Sequence, residues 1–303
     1  MVSPPPDTVE RLTSLPFVVV GVRQGGGEIA NPVDDVDEGW RQLCDVVVSE
    51  GEPARKAIEE NLVMAPIAST ALALLLRGQS GRTPEDGLVA ESAAYSVLQS
   101  GPEFAAWRAR TPARPDRDEG SRVRLDRNGD TLSVTLTRPQ RLNALDAQMR
   151  DELVAALTTA TADPSVTDVE LRGEGRAFCA GGDLDEFGTR TDPASAHIVR
   201  LERSVARALL RLRRRTTAYV HGATVGSGIE LAALADVVVA APDTEIALPE
   251  IRLGLIPGAG GTVSLPRRIG RLRTAWLAFS GLSIDAETAL GWGLVDEIAA
   301  MSS

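Results

Sequence analysis

The chain has 303 residues, 43% hydrophobic and 24% charged, the balance of a folded globular protein and not of a disordered one. Its net charge of -10 argues against a general binder of nucleic acid or membrane surface, since both are polyanions. Two cysteines (Cys44, Cys179) and two histidines (His197, His221) are too few and too scattered for a disulfide framework or a metal cage.

Residues 1–110 read as a mostly helical region. The start, Met1-Val-Ser-Pro-Pro-Pro-Asp7, lacks the basic and apolar runs of a signal peptide, so a cytoplasmic protein is expected. Apolar residues at three- and four-residue spacing predict helices over Glu38 to Val48, Pro53 to Leu76 and Glu85 to Gln99. The stretch Leu62 to Leu76 is the most apolar of the chain, yet it is too short to span a bilayer and reads as buried helix. A short turn is expected at Phe104 to Trp107. Residues 111–120 carry prolines, charges and no large apolar side chain, which suggests a linker.

From residue 121 the pattern changes. Arg122 to Asp126 and Thr131 to Thr137 alternate around Asn128-Gly129, the mark of a hairpin. A helix capped by Asp146 follows, then a strand at Val169 to Leu171 and a long helix over Ser195 to Arg215. Strands at Ala218 to Val220, Val237 to Ala240 and Glu245 to Ala247, with a helix at Ile229 to Ala235, predict an α/β layered domain over 121–303.

Three glycine-rich turns stand out in this part: Ala177-Phe-Cys-Ala-Gly-Gly-Asp183, the run from Gly222 to Leu231, and the run from Pro249 to Thr262. Such turns let backbone N–H groups face a ligand, and a helix N-terminus behind them adds a positive dipole. Two of them facing each other would form an oxyanion hole; taken singly, most glycine turns serve only tight packing. Glu230 and Glu250 lie in the second and third turns. Buried together they would act as general acid and base; as isolated residues they are a helix-start carboxylate and a solvated loop carboxylate. His221 at a strand end reads as structural, and Cys179 as a small buried hydrophobe. The run Arg211 to Arg215 reads as a solvated helix end, with contact to phosphates as the alternative.

From Arg122 onward the sequence resembles the crotonase superfamily, the enoyl-CoA hydratase/isomerase family. The resemblance rests on Arg141-Leu-Asn-Ala-Leu145, Ala177-Phe-Cys-Ala-Gly-Gly-Asp-Leu184, Gly226-Ser-Gly-Ile-Glu-Leu231, the segment Leu248 to Thr262, and Gly291-Trp-Gly-Leu-Val-Asp-Glu-Ile298. It implies a crotonase-like ββα-spiral core behind a helical N-terminal region. It also implies an oxyanion hole from the amides of Gly182 and Ser227, within a substrate-binding turn that includes Ala180 and Asp183. Glu230 and Glu250 match the two catalytic glutamates of family hydratases. The implied substrate is an acyl-CoA thioester, with coenzyme A part of the substrate and no other cofactor or metal. The implied assembly is a homo-oligomer built on trimers, with no nucleic-acid or membrane partner.

Three features depart from the family pattern, one of which, Thr216-Thr217 in place of a Lys-Pro pair, has no functional explanation. Ser227 stands where glycine is usual, which keeps the backbone donor but narrows the approach. Family members continue past the Gly-Leu-Val-Asp segment with helices that cover the acyl pocket; here either the N-terminal helices take that place or the pocket is open. The expected activity is hydration of an enoyl-CoA or the reverse dehydration. The alternatives are double-bond isomerisation and a non-catalytic acyl-CoA-binding role.

Overall fold

The computed structural model describes residues 4–24, 36–114, 120–189 and 191–300, and the middle of the expected linker lies outside them. The first region is not purely helical. Helix α1 (Pro6–Thr13) leads to strand β1 (Val20–Arg23), and α2 (Glu38–Leu43) leads to β2 (Val46–Ser49), which pairs parallel with β1. The helix expected through Val48 thus stops at Leu43. Three successive β-branched valines, 46 to 48, suit a buried strand better than a helix, and a short apolar run does not distinguish the two by period.

The single helix expected from Pro53 to Leu76 is a bent pair, α3 (Pro53–Met64) and α4 (Pro66–Arg77), turned by 110°. Pro66 has no N–H to continue the ladder and forces Ala65 out of the helical region, to φ -134° and ψ 64°. No single described helix is long and apolar enough to cross a membrane, although this bent pair passes that test on length and composition together. Helix α5 (Pro84–Gln99) forms as expected behind a Thr83 cap, and the turn at Phe104 is a full helix, α6 (Pro102–Arg110).

The second region opens with the expected hairpin, β3 (Val123–Asn128) and β4 (Thr131–Leu136), in which Asn128 pairs with Thr131 around Gly129-Asp130. Helix α7 (Ala147–Ala162) starts at Asp146, whose carboxylate accepts the Met149 N–H, and leads to β5 (Asp168–Gly173). The long helix expected over Ser195 to Arg215 is two, α8 (Pro193–Glu202) and α9 (Val205–Arg211). Ser204 interrupts it by capping the second, and Arg215 already belongs to strand β6 (Arg215–Val220). Next come β7 (Ala223–Val225), α10 (Ser227–Ala232), β8 (Val237–Ala240) and β9 (Glu245–Ala247). The chain closes with α11 (Gly261–Ser280), β10 (Ile284–Asp285), α12 (Ala286–Trp292) and β11 (Glu297–Ile298).

Strands β11, β8, β6, β5, β4 and β3 form a six-stranded sheet, parallel except for the hairpin. A smaller sheet in the order β10, β9, β7 stands beside it. Short strands in two sheets with helices between them are the layered α/β arrangement of a crotonase-type spiral. One continuous hydrophobic core runs from Val46 through Trp107 to Val295, so residues on both sides of the linker share it. Within it α11 packs on α3, α4, α5 and α10, and α5 packs on α8. The N-terminal helices therefore lie against the elements that carry the glycine turns.

Candidate active site

The three glycine-rich turns meet. An isolated parallel bridge joins Cys179 to Thr224, and another joins Leu145 to Gly182. The Asp183 N–H donates to the Leu145 carbonyl at 2.9 Å, and the Leu145 N–H to the Gly181 carbonyl at 2.8 Å. These bonds leave the amides of Gly182 and Ser227 without an acceptor among the described residues. Both residues line a cavity of about 220 Å³. Ala180 does not line it; its N–H is taken by the Leu142 carbonyl at 2.9 Å.

The turn is held from behind by buried charge. Arg138 is fully buried, and its Nη1 donates to Asp183 Oδ2 at 2.6 Å, with Asp146 Oδ2 at 3.4 Å. Asp146 in turn pairs with the Arg122 Nε at 2.9 Å. The Arg141–Leu145 motif provides the other support. Leu142 and Asn143 both adopt positive φ, and buried Asn143 donates to the carbonyls of Glu174 and Ala177 while accepting the Arg138 N–H. Left-handed backbone at two consecutive non-glycine residues costs energy, which these bonds offset.

Glu230 and Glu250 both face the cavity and are 2% and 8% exposed. Glu230 sits on the first turn of α10. Its Oε2 accepts two amides at the start of α11, Ala259 N–H at 2.7 Å and Gly261 N–H at 2.8 Å. A side chain on Gly261 would collide with the Glu230 carboxylate, so glycine is required for this approach. Glu250 begins a short 3-10 turn, and its buried Oε2 has no partner among the described residues. Gly226 has φ 51° and lies where a Cβ would come within 2.6 Å of Glu250 Oε1, so the turn that carries Ser227 and this carboxylate touch through it.

Burial pushes the Glu250 carboxyl up to about 7 and holds Glu230 well above the usual carboxylate range. The proximity of Glu250 and Glu91 raises Glu230 further, and its two amide donors act in the opposite sense.

Sequence reasoning missed Glu91, on α5. It is 2% exposed, accepts the Gly260 N–H at 2.8 Å and the Thr262 N–H at 2.9 Å, and takes the Thr262 hydroxyl at 2.7 Å. It interleaves with Glu230 along the same four amides. The available signal was that Leu88, Glu91, Ser92 and Tyr95 fall on one face of a helix whose partner residues are apolar. Tyr95 and Gln99 of the same helix line the cavity, so of the two expected alternatives the N-terminal helices form a wall of the site.

The remaining candidates behave as structural residues. His221 Nε2 contacts the Gly175 carbonyl at 3.0 Å. Burial pushes the Cys179 thiol up to about 11, which keeps it un-ionised and unsuited to nucleophilic attack. Arg211 pairs with Glu85 at 3.2 Å.

Comparison with known proteins extends over this second region. Residues 126–303 match the family described as enoyl-CoA hydratase/isomerase. A probable enoyl-CoA hydratase of Mycobacterium bovis is 36% identical over 178 residues, covering 58% of this chain and 68% of that protein. A 1,2-epoxyphenylacetyl-CoA isomerase of Escherichia coli is 35% identical over 171 residues, covering 55% of this chain and 65% of that protein. Among solved structures, an enoyl-CoA hydratase from Thermoplasma volcanium superposes with a TM-score of 0.56 at 34% identity, over 60% of this chain and 73% of that one.

Proposed function

The chain belongs to the enoyl-CoA hydratase/isomerase family, and from that premise we propose that it adds water across the conjugated double bond of an enoyl-CoA, or removes it in reverse. The observation that carries this reading is that two buried carboxyls and two unengaged amides line one cavity.

The thioester oxygen fits between the amides of Gly182 and Ser227, where charge develops as the enolate forms. One preorganised donor of this kind lowers the barrier by about 3 kcal/mol. Glu230 has Oε2 fixed by the Ala259 and Gly261 amides, which leaves Oε1 to accept a proton from water. Water oxygen attacks Cβ, its proton passes to Glu230, and the alkene electrons move onto the thioester oxygen. When the enolate collapses, Cα takes a proton. Glu250 is the donor in this reading: burial raises its carboxyl to about 7, so part of it carries a proton near neutral pH, and Glu230 acts as the base in its ionised fraction. The sum is one water added once the proton taken by Glu230 is returned to Glu250 through solvent, and the coenzyme A portion enters and leaves as part of the substrate.

Isomerisation of the double bond is the second reading, in keeping with a family described as enoyl-CoA hydratase/isomerase and needing only one of the two carboxyls. Mass spectrometry of enoyl-CoA thioesters in deuterated water separates them. Gain of one water, lost in Glu230→Gln and in Glu250→Gln, supports hydration. Deuterium uptake with alkene migration and no added water overturns it in favour of isomerisation.

A further inference from the structure

Three arginines line the cavity: Arg150, Arg200 and Arg203. Two of them share one carboxylate. Arg150 and Arg203 both pair with Asp151, the former at 2.7 Å. Arg200, on α8, differs. It is half-buried, and every group it bonds is neutral. Its Nη1 reaches the Ser92 carbonyl and hydroxyl at 3.2 Å and the Ser96 hydroxyl at 2.8 Å; its Nη2 reaches Gln99 Oε1 at 3.4 Å. Its guanidinium lies 4.5 Å from the centre of the Tyr95 ring. Among the described residues, no carboxylate stands within 4.0 Å of it and its Nε has no acceptor. Glu91, the carboxyl that acts on it from farther off, has both oxygens engaged by Gly260 and Thr262.

A guanidinium withdrawn from water is ordinarily paired. In a chain of net charge -10, one that meets only neutral groups in the wall of the candidate active site is placed to bind an anionic group. Its place in the cavity says which. With the thioester oxygen at Gly182 and Ser227, Cα and Cβ face Glu250 and Glu230. Atoms beyond Cβ then continue past Glu230 to the Gly258–Ala259 backbone that holds it. That backbone abuts the Tyr95 ring, where a Cβ on Gly258 would overlap it, and Arg200 covers the same ring. Contacts thus lead from Glu230 through the Gly258–Ala259 backbone and the Tyr95 ring to Arg200, and a ligand bound as in the hydration reading directs its acyl end along that path.

We propose that Arg200 binds a carboxylate at the far end of the acyl chain, which makes the substrate class a monothioester of an unsaturated dicarboxylic acid. This rests on the hydration reading for the chemistry, but the subsite is tested by binding alone. Calorimetric titration compares saturated thioesters that do not turn over, such as glutaryl-CoA against its methyl-ended counterpart of equal chain length. A charge-assisted bond to Arg200 predicts about tenfold tighter binding of the carboxylate-ended ligand. The affinity ratio falls to about one in Arg200→Met and is partly restored in Arg200→Lys.

A wild-type ratio of one, or a ratio unchanged by Arg200→Met, overturns the proposal. The same anion chemistry could come from the phosphates of coenzyme A, and pantetheine thioesters of the same acids lack the diphosphate and ribose phosphate. If Arg200→Met weakens both CoA ligands equally but neither pantetheine ligand, the anion is phosphate and the acyl assignment is wrong. Should Arg200→Met not fold, the wild-type ratio and Arg200→Lys decide. A carboxylate preference in a protein that hydrates nothing would overturn the hydration reading and leave this one standing.

Discussion

Glu91 and Glu230 divide four consecutive backbone amides between them. Ala259 and Gly261 donate to Glu230, while Gly260 and Thr262 donate to Glu91, at 2.7 to 2.9 Å. The two carboxyls come from helices 139 residues apart in the chain, α5 and α10, and together they set the register of the segment entering α11. Neither can move without releasing amides that the other helps to place.

This predicts that Glu91→Gln lowers turnover with little change in the Michaelis constant, because Glu91 holds the loop and does not line the cavity. Glutamine presents an N–H₂ to one of the amide donors, leaving it unsatisfied at a cost of about 1–3 kcal/mol of stability. A second readout separates position from packing. Glu91 faces Arg200, Tyr95, Glu230 and Glu250, and its charge raises both cavity carboxyls, Glu230 and Glu250. Its neutralisation therefore moves the alkaline limb of the pH–rate profile to lower pH. An unmoved limb would make Glu91 purely structural.

Ser227 is the first residue of α10, where proline is tolerated. Ser227→Pro removes the N–H proposed to hold the thioester oxygen and keeps the helix, so turnover should fall by about 10²–10³-fold. Ser227→Ala keeps the N–H and loses only a 3.9 Å contact with Cys179, so it should stay within a few-fold of the parent. Steady-state kinetics on both variants checks the pair, and equal losses would remove the amide from the mechanism.

Glu250 links activity to stability with opposite signs. Its carboxyl rises from the ordinary 4.5 to about 7 in the folded protein. A raised carboxyl contributes stability that is fully present below about pH 4.5 and is lost as pH climbs through 7, on the order of 3 kcal/mol. Glu250→Gln should therefore abolish hydration, yet gain stability over the parent at pH 8 and much less at pH 4. Urea unfolding at the two pH values measures the difference. A gain that is the same at both would place the proton elsewhere.

Arg138 is buried among Asp183, Asp146 and the Ala144 carbonyl. Replacing it with methionine leaves two carboxylates in the interior short of a partner, and should cost about 3–5 kcal/mol. Because Asp183 directly follows Gly182, the remaining folded protein should also lose turnover. Denaturant midpoints together with single-turnover rates test both effects.

The sequence by itself determined the parts of the site that are local. The Asn128-Gly129 turn, the Asp146 cap and the glycines around Gly182 and Ser227 are short-range signals, since a backbone that must turn or donate shows in the residues at that point. Glu230 and Glu250 were legible as candidates because each lies inside such a turn. Periodicity was weaker where it met a proline, a serine cap or a run of valines, and helices predicted across Ala65, Ser204 and Val46 broke there. Only the tertiary structure decided that Glu91 reaches Thr262, 171 positions away, and that Arg200 finds four neutral acceptors and no carboxylate. Helical spacing states which side chains share a face. What that face meets is settled by packing between distant segments, and with it the charge that each buried group can hold.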